Sequence, residues 1–184
     1  MFPSGMFSTD GLQPVADAAM VSTEDFWYAK IAARKYYVYL CGPITGLSFD
    51  ICSEYYRRVA ALLPPWIVPL SPMRGKGYLQ GVPVLGDTYE GMALASQRGV
   101  VCRDFFDVRR ADVVLANFLG ATRVSIGSSF ELAWAFQLQK PVILAMEEQD
   151  NVHEHTFVRE ACAFRLPTLE QACKTLIQVV TPGL

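Results

Sequence analysis

Four short apolar runs punctuate the chain, each closed by turn residues and separated from the next by a stretch with helical spacing or by a loop. Tyr37-Val38-Tyr39-Leu40-Cys41 is rich in β-formers and stops at Gly42-Pro43, which reads as a strand with a tight turn behind it. Trp66-Ile67-Val68-Pro69-Leu70, then Asp112 to Asn117, then Pro141 to Met146 supply three further strands. Phe49 to Leu63 repeats apolar positions with helical spacing and is ended by Pro64-Pro65. A second helix is predicted to end near Arg110, a third to run from Ser128 to Gln139, and a fourth from His155 to Cys162. The last begins after Pro167, where Thr168-x-x-Gln171 forms a capping box, and carries Leu169, Ala172, Leu176 and Val179 on one face. Apolar strands alternating with helices specify an α/β class, a doubly wound and mainly parallel sheet with helices on both faces. Five strands are expected, of which these runs place four.

Composition narrows the picture. A chain of 184 residues with 52% hydrophobic positions suits one domain with one substantial core. A formal charge of −2 argues against a nucleic acid polymer as partner, because polyphosphate needs a basic face. The five cysteines are scattered and form no C-x-x-C, so they read as free thiols of a reducing compartment, and a cytoplasmic location is expected. No run reaches membrane-span length, and the N-terminus lacks the pattern of a secretory signal. Residues 1–34 read as an extension, weakly patterned to Met20 and then a short helix from Ser22 to about Arg34; residues 35–184 read as the single α/β domain. No G-x-G-x-x-G follows the first strand and no Walker lysine is present, so neither a dinucleotide nor a P-loop site is indicated. His153-Glu154-His155 lacks a third ligand. No metal and no cofactor are expected.

Candidate chemistry concentrates in Val124-Ser125-Ile126-Gly127-Ser128-Ser129-Phe130-Glu131. A Gly/Ser-rich turn there follows a buried strand and delivers one carboxylate to the start of a helix, above the strand end where open α/β sheets bind ligands. Helix amides and dipole favour an anion at that place, so Glu131 is expected to stay ionised and able to attack a carbon centre. The same residues also read as a capping box, Ser128 capping and Glu131 reaching back to it.

Four blocks, taken in order, resemble the nucleoside 2-deoxyribosyltransferase family. They are Tyr39-Leu40-Cys41-Gly42-Pro43, Asp104 to Asp112, Ser125 to Glu131, and Lys140-Pro141-Val142-Ile143-Leu144, and the likeness covers roughly Tyr37 to Arg159. The resemblance implies a flavodoxin/Rossmann-like fold and cleavage of the N-glycosidic bond of a deoxynucleoside or its monophosphate. It places Glu131 as the nucleophile that forms a glycosyl-enzyme, Asp104 as the proton donor beside the base, and Tyr39 as the hydroxyl that positions the nucleophile. Local pattern offers plainer alternatives: Asp104 as a surface carboxylate paired with Arg103 or Arg109, and Tyr39 as inward aromatic packing beside Tyr37.

Ser125 resembles the branch that hydrolyses 2′-deoxynucleoside 5′-monophosphates, where a serine binds the 5′-phosphate; the branch acting on free nucleosides carries an acidic residue there. A hydroxyl donates to a phosphate that an aspartate repels. Gly127 and the turn Gly42-Pro43-Ile44-Thr45-Gly46 are the other expected phosphate or sugar contacts. Thr45 departs from that branch, which carries an arginine in its place, and Arg123 stands nearby as a substitute. His155 is implied to reach a neighbouring subunit's site, making the protein a homodimer or larger homo-oligomer whose site is completed in trans. The long loop Ser71 to Asp87 and the stretch Gly86 to Arg98 are expected to shape the base pocket, with Tyr78 or Tyr89 for stacking. Three functions stand on this reading: a deoxynucleotide N-hydrolase, a transferase exchanging bases between free deoxynucleosides, and a nucleotide sensor without turnover.

Overall fold

The computed structural model describes residues 34–89 and 91–181 together with Ser22, so the expected extension and nearly all of the short helix after it lie outside the described residues. Among the described residues there are five strands: β1 (Tyr36–Cys41), β2 (Ile67–Leu70), β3 (Val113–Asn117), β4 (Val142–Ala145) and β5 (Phe164–Leu166). Every neighbouring pair is parallel, in the order β2-β1-β3-β4-β5. The helices are α1 (Phe49–Leu62), α2 (Gln97–Arg110), α3 (Ile126–Gln137), α4 (Thr156–Ala161) and α5 (Leu169–Val180).

The strands have two buried faces, and residue parity sorts them. Val38, Leu40, Leu115 and Ile143 pack with α1 and α5 through Cys52, Val59, Leu169, Ala172 and Leu176. Tyr39, Cys41, Val114, Ala116 and Leu144 pack on the other face with Val108 of α2 and with Leu132 and Ala135 of α3. Helices therefore cover both faces, as the alternating pattern requires.

Several boundaries differ from the sequence expectation. The fifth strand is three residues, Phe-Arg-Leu, with Phe164 exposed, so it has no apolar run to reveal it. In α5 the buried stripe is Leu169, Ala172, Cys173, Leu176 and Val180, while Val179 is exposed. Helical spacing of i, i+3, i+4 and i+7 explains this: four residues beyond Leu176 is Val180. Thr168 does cap this helix, accepting from the Gln171 N–H at 3.2 Å. Among the described residues no helix is long and apolar enough to cross a membrane.

Candidate active site

Crossovers from β1 and β3 leave in opposite directions, towards β2 and β4, so a cleft lies over the carboxyl ends of these adjacent strands. The cavity there holds about 530 Å³, within the roughly 300–1,000 Å³ usual for small-molecule sites.

The start of α3 sets what reaches the cavity floor. Ser125, not Ser128, is the N-cap: it is extended, with φ −93° and ψ 108°, and its Oγ accepts from the Ser128 N–H at 3.3 Å. The helix therefore begins at Ile126, two residues earlier than expected, and the capping box of Ser128 with Glu131 does not form. Its inward stripe is Ser128, Glu131, Leu132 and Ala135, all buried, so Glu131 lies in the second turn and faces the sheet.

Under Glu131 lies Tyr39, completely buried in β1. Its hydroxyl donates to Glu131 Oε1 at 2.6 Å. The Cys41 thiol, on the same strand face, is directed at the Ser128 carbonyl at 3.8 Å. Burial, followed by the nearby Asp104 charge, pushes the Glu131 carboxyl up to about 8; the bond from Tyr39 and the Cys41 thiol pull it back. Burial thus works against the expected ionised state of Glu131. A helix dipole acts strongly only in the first turn, and Glu131 sits beyond it in a dry environment.

Asp104 projects from the buried face of α2, which it shares with Asp107 and Val108. Its Oδ1 accepts from Arg103 Nη2 at 2.9 Å and from Nε at 3.2 Å. Arg103 is itself anchored on the Pro72 carbonyl at 2.5 Å. Among the described residues no hydrogen bond engages Oδ2. Burial raises the Asp104 carboxyl and Arg103 opposes the rise. The pairing with Arg103 is present, but on a buried carboxylate lining the cavity rather than on a surface one. Two carboxyls in one dry cavity resist ionising together, so the pair tends to keep a proton.

The rim is built by the loop after β1 and the loop before α3. Gly42, Ile44, Thr45, Arg123, Ser125 and Gly127 all line the cavity. Gly46 does not; its N–H is donated to the Leu85 carbonyl at 2.8 Å. Its φ of +84° suits glycine, and a Cβ there would overlap the Arg123 guanidinium. Arg123 donates to the Thr45 carbonyl. Thr45 Oγ1 in turn donates to Asp87 Oδ1 at 2.6 Å, which puts a carboxylate on this rim. Tyr89 lines the cavity and Tyr78 does not.

His155 is not brought into the cavity of its own chain. It caps α4, with Nδ1 accepting from the Phe157 N–H at 3.2 Å, and borders a separate apolar groove with Phe136 and Phe157. Sequence reasoning missed two residues. His153 is buried, stacks on Phe118 at 4.0 Å, and its Nε2 accepts from the Ser125 N–H at 2.9 Å, so it fixes the cap that orients α3. Its burial lowers its basicity, consistent with a neutral ring that accepts there. Lys76, only 7% exposed, lines the cavity wall. Nothing in the local pattern distinguishes it from a solvated loop lysine.

The model of the family described as nucleoside 2-deoxyribosyltransferase matches residues 38–166, from β1 through β5. The chain belongs to the nucleoside 2-deoxyribosyltransferase family. Membership makes it an enzyme of N-glycosidic chemistry acting on small nucleosides or nucleotides. No curated protein sequence matches the chain significantly. Among solved structures, a conserved protein from Enterococcus faecalis V583 superposes with a TM-score of 0.57 at 13% identity, covering 79% of this chain and 99% of that one. The molybdenum cofactor binding protein from Rippkaea orientalis gives 0.50 at 19% identity, covering 80% and 98%. A 2-desoxiribosyltransferase from Leishmania mexicana gives 0.49 at 17%, covering 78% and 97%. At identities this low the first two superpositions show the fold alone and leave the chemistry to the site.

Proposed function

We propose that this family member hydrolyses the N-glycosidic bond of a 2′-deoxynucleoside 5′-monophosphate through a covalent glycosyl-Glu131 intermediate. The observation that carries the reading is the Tyr39–Glu131 bond of 2.6 Å at the floor of a cavity that Asp104 also lines. Glu131 attacks C1′ as the C1′–N bond breaks, and Asp104 passes its proton from Oδ2 to the departing base. Water then attacks C1′, the C1′–O bond to Glu131 breaks, and the water's proton goes to Asp104. Splitting the displacement in two and protonating the leaving base are the two gains; general acid catalysis alone contributes roughly 10²–10⁴-fold. In the free site burial holds the pair's proton on Glu131; the cycle uses one proton on Asp104 and an ionised Glu131, an exchange within the pair that accompanies substrate binding. Ser125, Gly127, Arg123 and the turn from Gly42 to Thr45 take the sugar phosphate. His155 of a second copy supplements them.

One observation favours the second reading, base exchange between free deoxynucleosides. Asp87 stands bonded to Thr45 where the phosphate is proposed to lie, and a carboxylate there opposes an anion. Product analysis by mass spectrometry decides between them, using deoxynucleosides and their monophosphates with and without an acceptor base. Hydrolysis confined to monophosphates supports the first reading; exchange among unphosphorylated nucleosides replaces it with the second. Glu131→Gln is expected to abolish both reactions while folding normally, because the glutamine oxygen still accepts from Tyr39. Full activity in that variant removes Glu131 as nucleophile.

A further inference from the structure

Lys76 has no task in the chemistry just described, yet its placement is costly. It lies in the loop between β2 and the 3-10 turn Gly77–Leu79, and its N–H is fixed on the Met73 carbonyl at 3.1 Å between the buried side chains of Met73 and Leu79. Long lysine side chains normally run their stems over apolar surface and keep the ammonium in water. Here 93% of the residue is covered, so the stem is buried and the ammonium reaches only the cavity, and among the described residues no hydrogen bond or ion pair engages its Nζ. The wall it belongs to is that of the cavity holding Asp104 and Glu131. Burial, with repulsion from Arg103, lowers its basicity, while the Asp104 and Glu131 charges favour the ammonium. An ammonium on a cavity wall, with its stem covered and no protein acceptor at its head, is a donor that a ligand acceptor would complete.

Position selects which part of the ligand does so. Thr45, Arg123 and Ser125, proposed for the phosphate, belong to the loops after β1 and before α3. Lys76 comes from the loop after β2, and the charges felt by its ammonium are those of Arg103, Asp104 and Glu131, Asp104 being the group proposed to stand beside the departing base. We infer that Lys76 donates a hydrogen bond to an oxo oxygen of the nucleobase and so selects 6-oxopurines or 4-oxopyrimidines over their amino counterparts. This rests on the N-glycosidic reading of the site. Lysine offers three donors and no acceptor, so an exocyclic amino group facing Nζ leaves two donors opposed and unpaired. Charge also develops on the base as the C1′–N bond breaks, and an oxo group carries much of it. The ammonium therefore acts more strongly in the transition state than on the bound substrate.

The test uses matched pairs, dIMP with dAMP and dUMP with dCMP, plus the corresponding free deoxynucleosides. The wild type is expected to favour the oxo partner in kcat/KM on the order of 10- to 100-fold, the range for a hydrogen bond to a charged group. Lys76→Met is expected to cost the oxo partner that factor and the amino partner far less, equally with and without the 5′-phosphate. Lys76→Gln, whose amide both donates and accepts, is expected to narrow the preference and retain binding. A loss confined to phosphorylated substrates assigns Lys76 to the phosphate and overturns the inference, as does equal loss on both partners or a wild type without preference. Calorimetric binding of the same compounds to Glu131→Gln separates this inference from the reading beneath it. Oxo preference in binding with no cleavage of any compound by the wild type sinks the glycosidase alone, and cleavage without base preference sinks the role of Lys76 alone.

Discussion

Glu131 is asked to be both dry and charged, and its neighbours settle the balance. Burial and Asp104 favour the protonated acid; the Tyr39 hydroxyl favours the carboxylate. Tyr39→Phe removes a bond to the charged form and leaves the ring packing in place, so the carboxyl rises further. The acidic limb of the rate profile is expected to move to higher pH by about 1–2 units, with a comparable fall in kcat/KM at pH 7. If Tyr39 only fills space, the limb stays where it is. A second consequence concerns stability. The Glu131 carboxyl goes from an ordinary 4.5 to about 8 on folding, so the folded chain holds this proton more tightly than the unfolded one. Its contribution is fully present below about 4.5 and is lost as pH rises through 8. Glu131→Gln cannot ionise. Its stability relative to wild type is expected to grow across that window on the order of 1 kcal/mol per pH unit, as chemical denaturation at pH 5 and pH 8 would record.

At the scale of elements, α2 is seated by a glycine. Gly99 lies in its first turn, and a Cβ there would stand 2.2 Å from the Ala93 carbonyl oxygen, part of the 3-10 turn Ala93–Ala95 that borders the cavity. Propensity alone makes Gly→Ala in a helix favourable by about 0.5–1 kcal/mol. The backbone contact reverses the sign, and Gly99→Ala is expected to destabilise by about 1–3 kcal/mol with a rise in KM. Equal or greater thermal stability in that variant contradicts the packing. Elements differ in how plainly the sequence announces them. β1, β3 and β4 are continuous apolar runs because both their faces are covered, and α1 shows its helical spacing up to Pro64-Pro65. β5 is short and marginally covered, so its three residues carry no such signal. The local pattern puts the cap of α3 at Ser128 for a different reason: Ser128 and Glu131 have capping-box spacing, while Ser125, three residues earlier, is the residue that caps. The contacts that go with the earlier cap, Glu131 with Tyr39 and His153 with the Ser125 N–H, are tertiary and leave no local pattern. Lys76 was illegible for the same reason, since its meaning lies in what buries it.

For the whole molecule, α3 and α4 leave large apolar side chains in contact with solvent. Phe130, Phe136 and Phe157 of these helices are 58–79% exposed, and Phe136 and Phe157 border one apolar groove, the kind of surface that marks an interaction site. α3 also presents Glu131 inward, so a partner seated on this face approaches the catalytic cavity from outside. His155, excluded from its own cavity, borders the apolar groove on this side. If two copies pair through it and exchange His155, each site draws Glu131 from one chain and His155 from the other. Mixing then distinguishes cis from trans. Glu131→Gln and His155→Ala are expected to be severely impaired alone, the second chiefly through a raised KM for monophosphates. Unfolded and refolded together in equal amounts, half of the dimers pair one chain of each kind, and one of the two sites in such a dimer is intact. Recovery of about a quarter of wild-type activity is expected. A mixture no more active than the average of its two components places His155 outside the partner's site, and a monomer in sedimentation at assay concentration removes the exchange altogether.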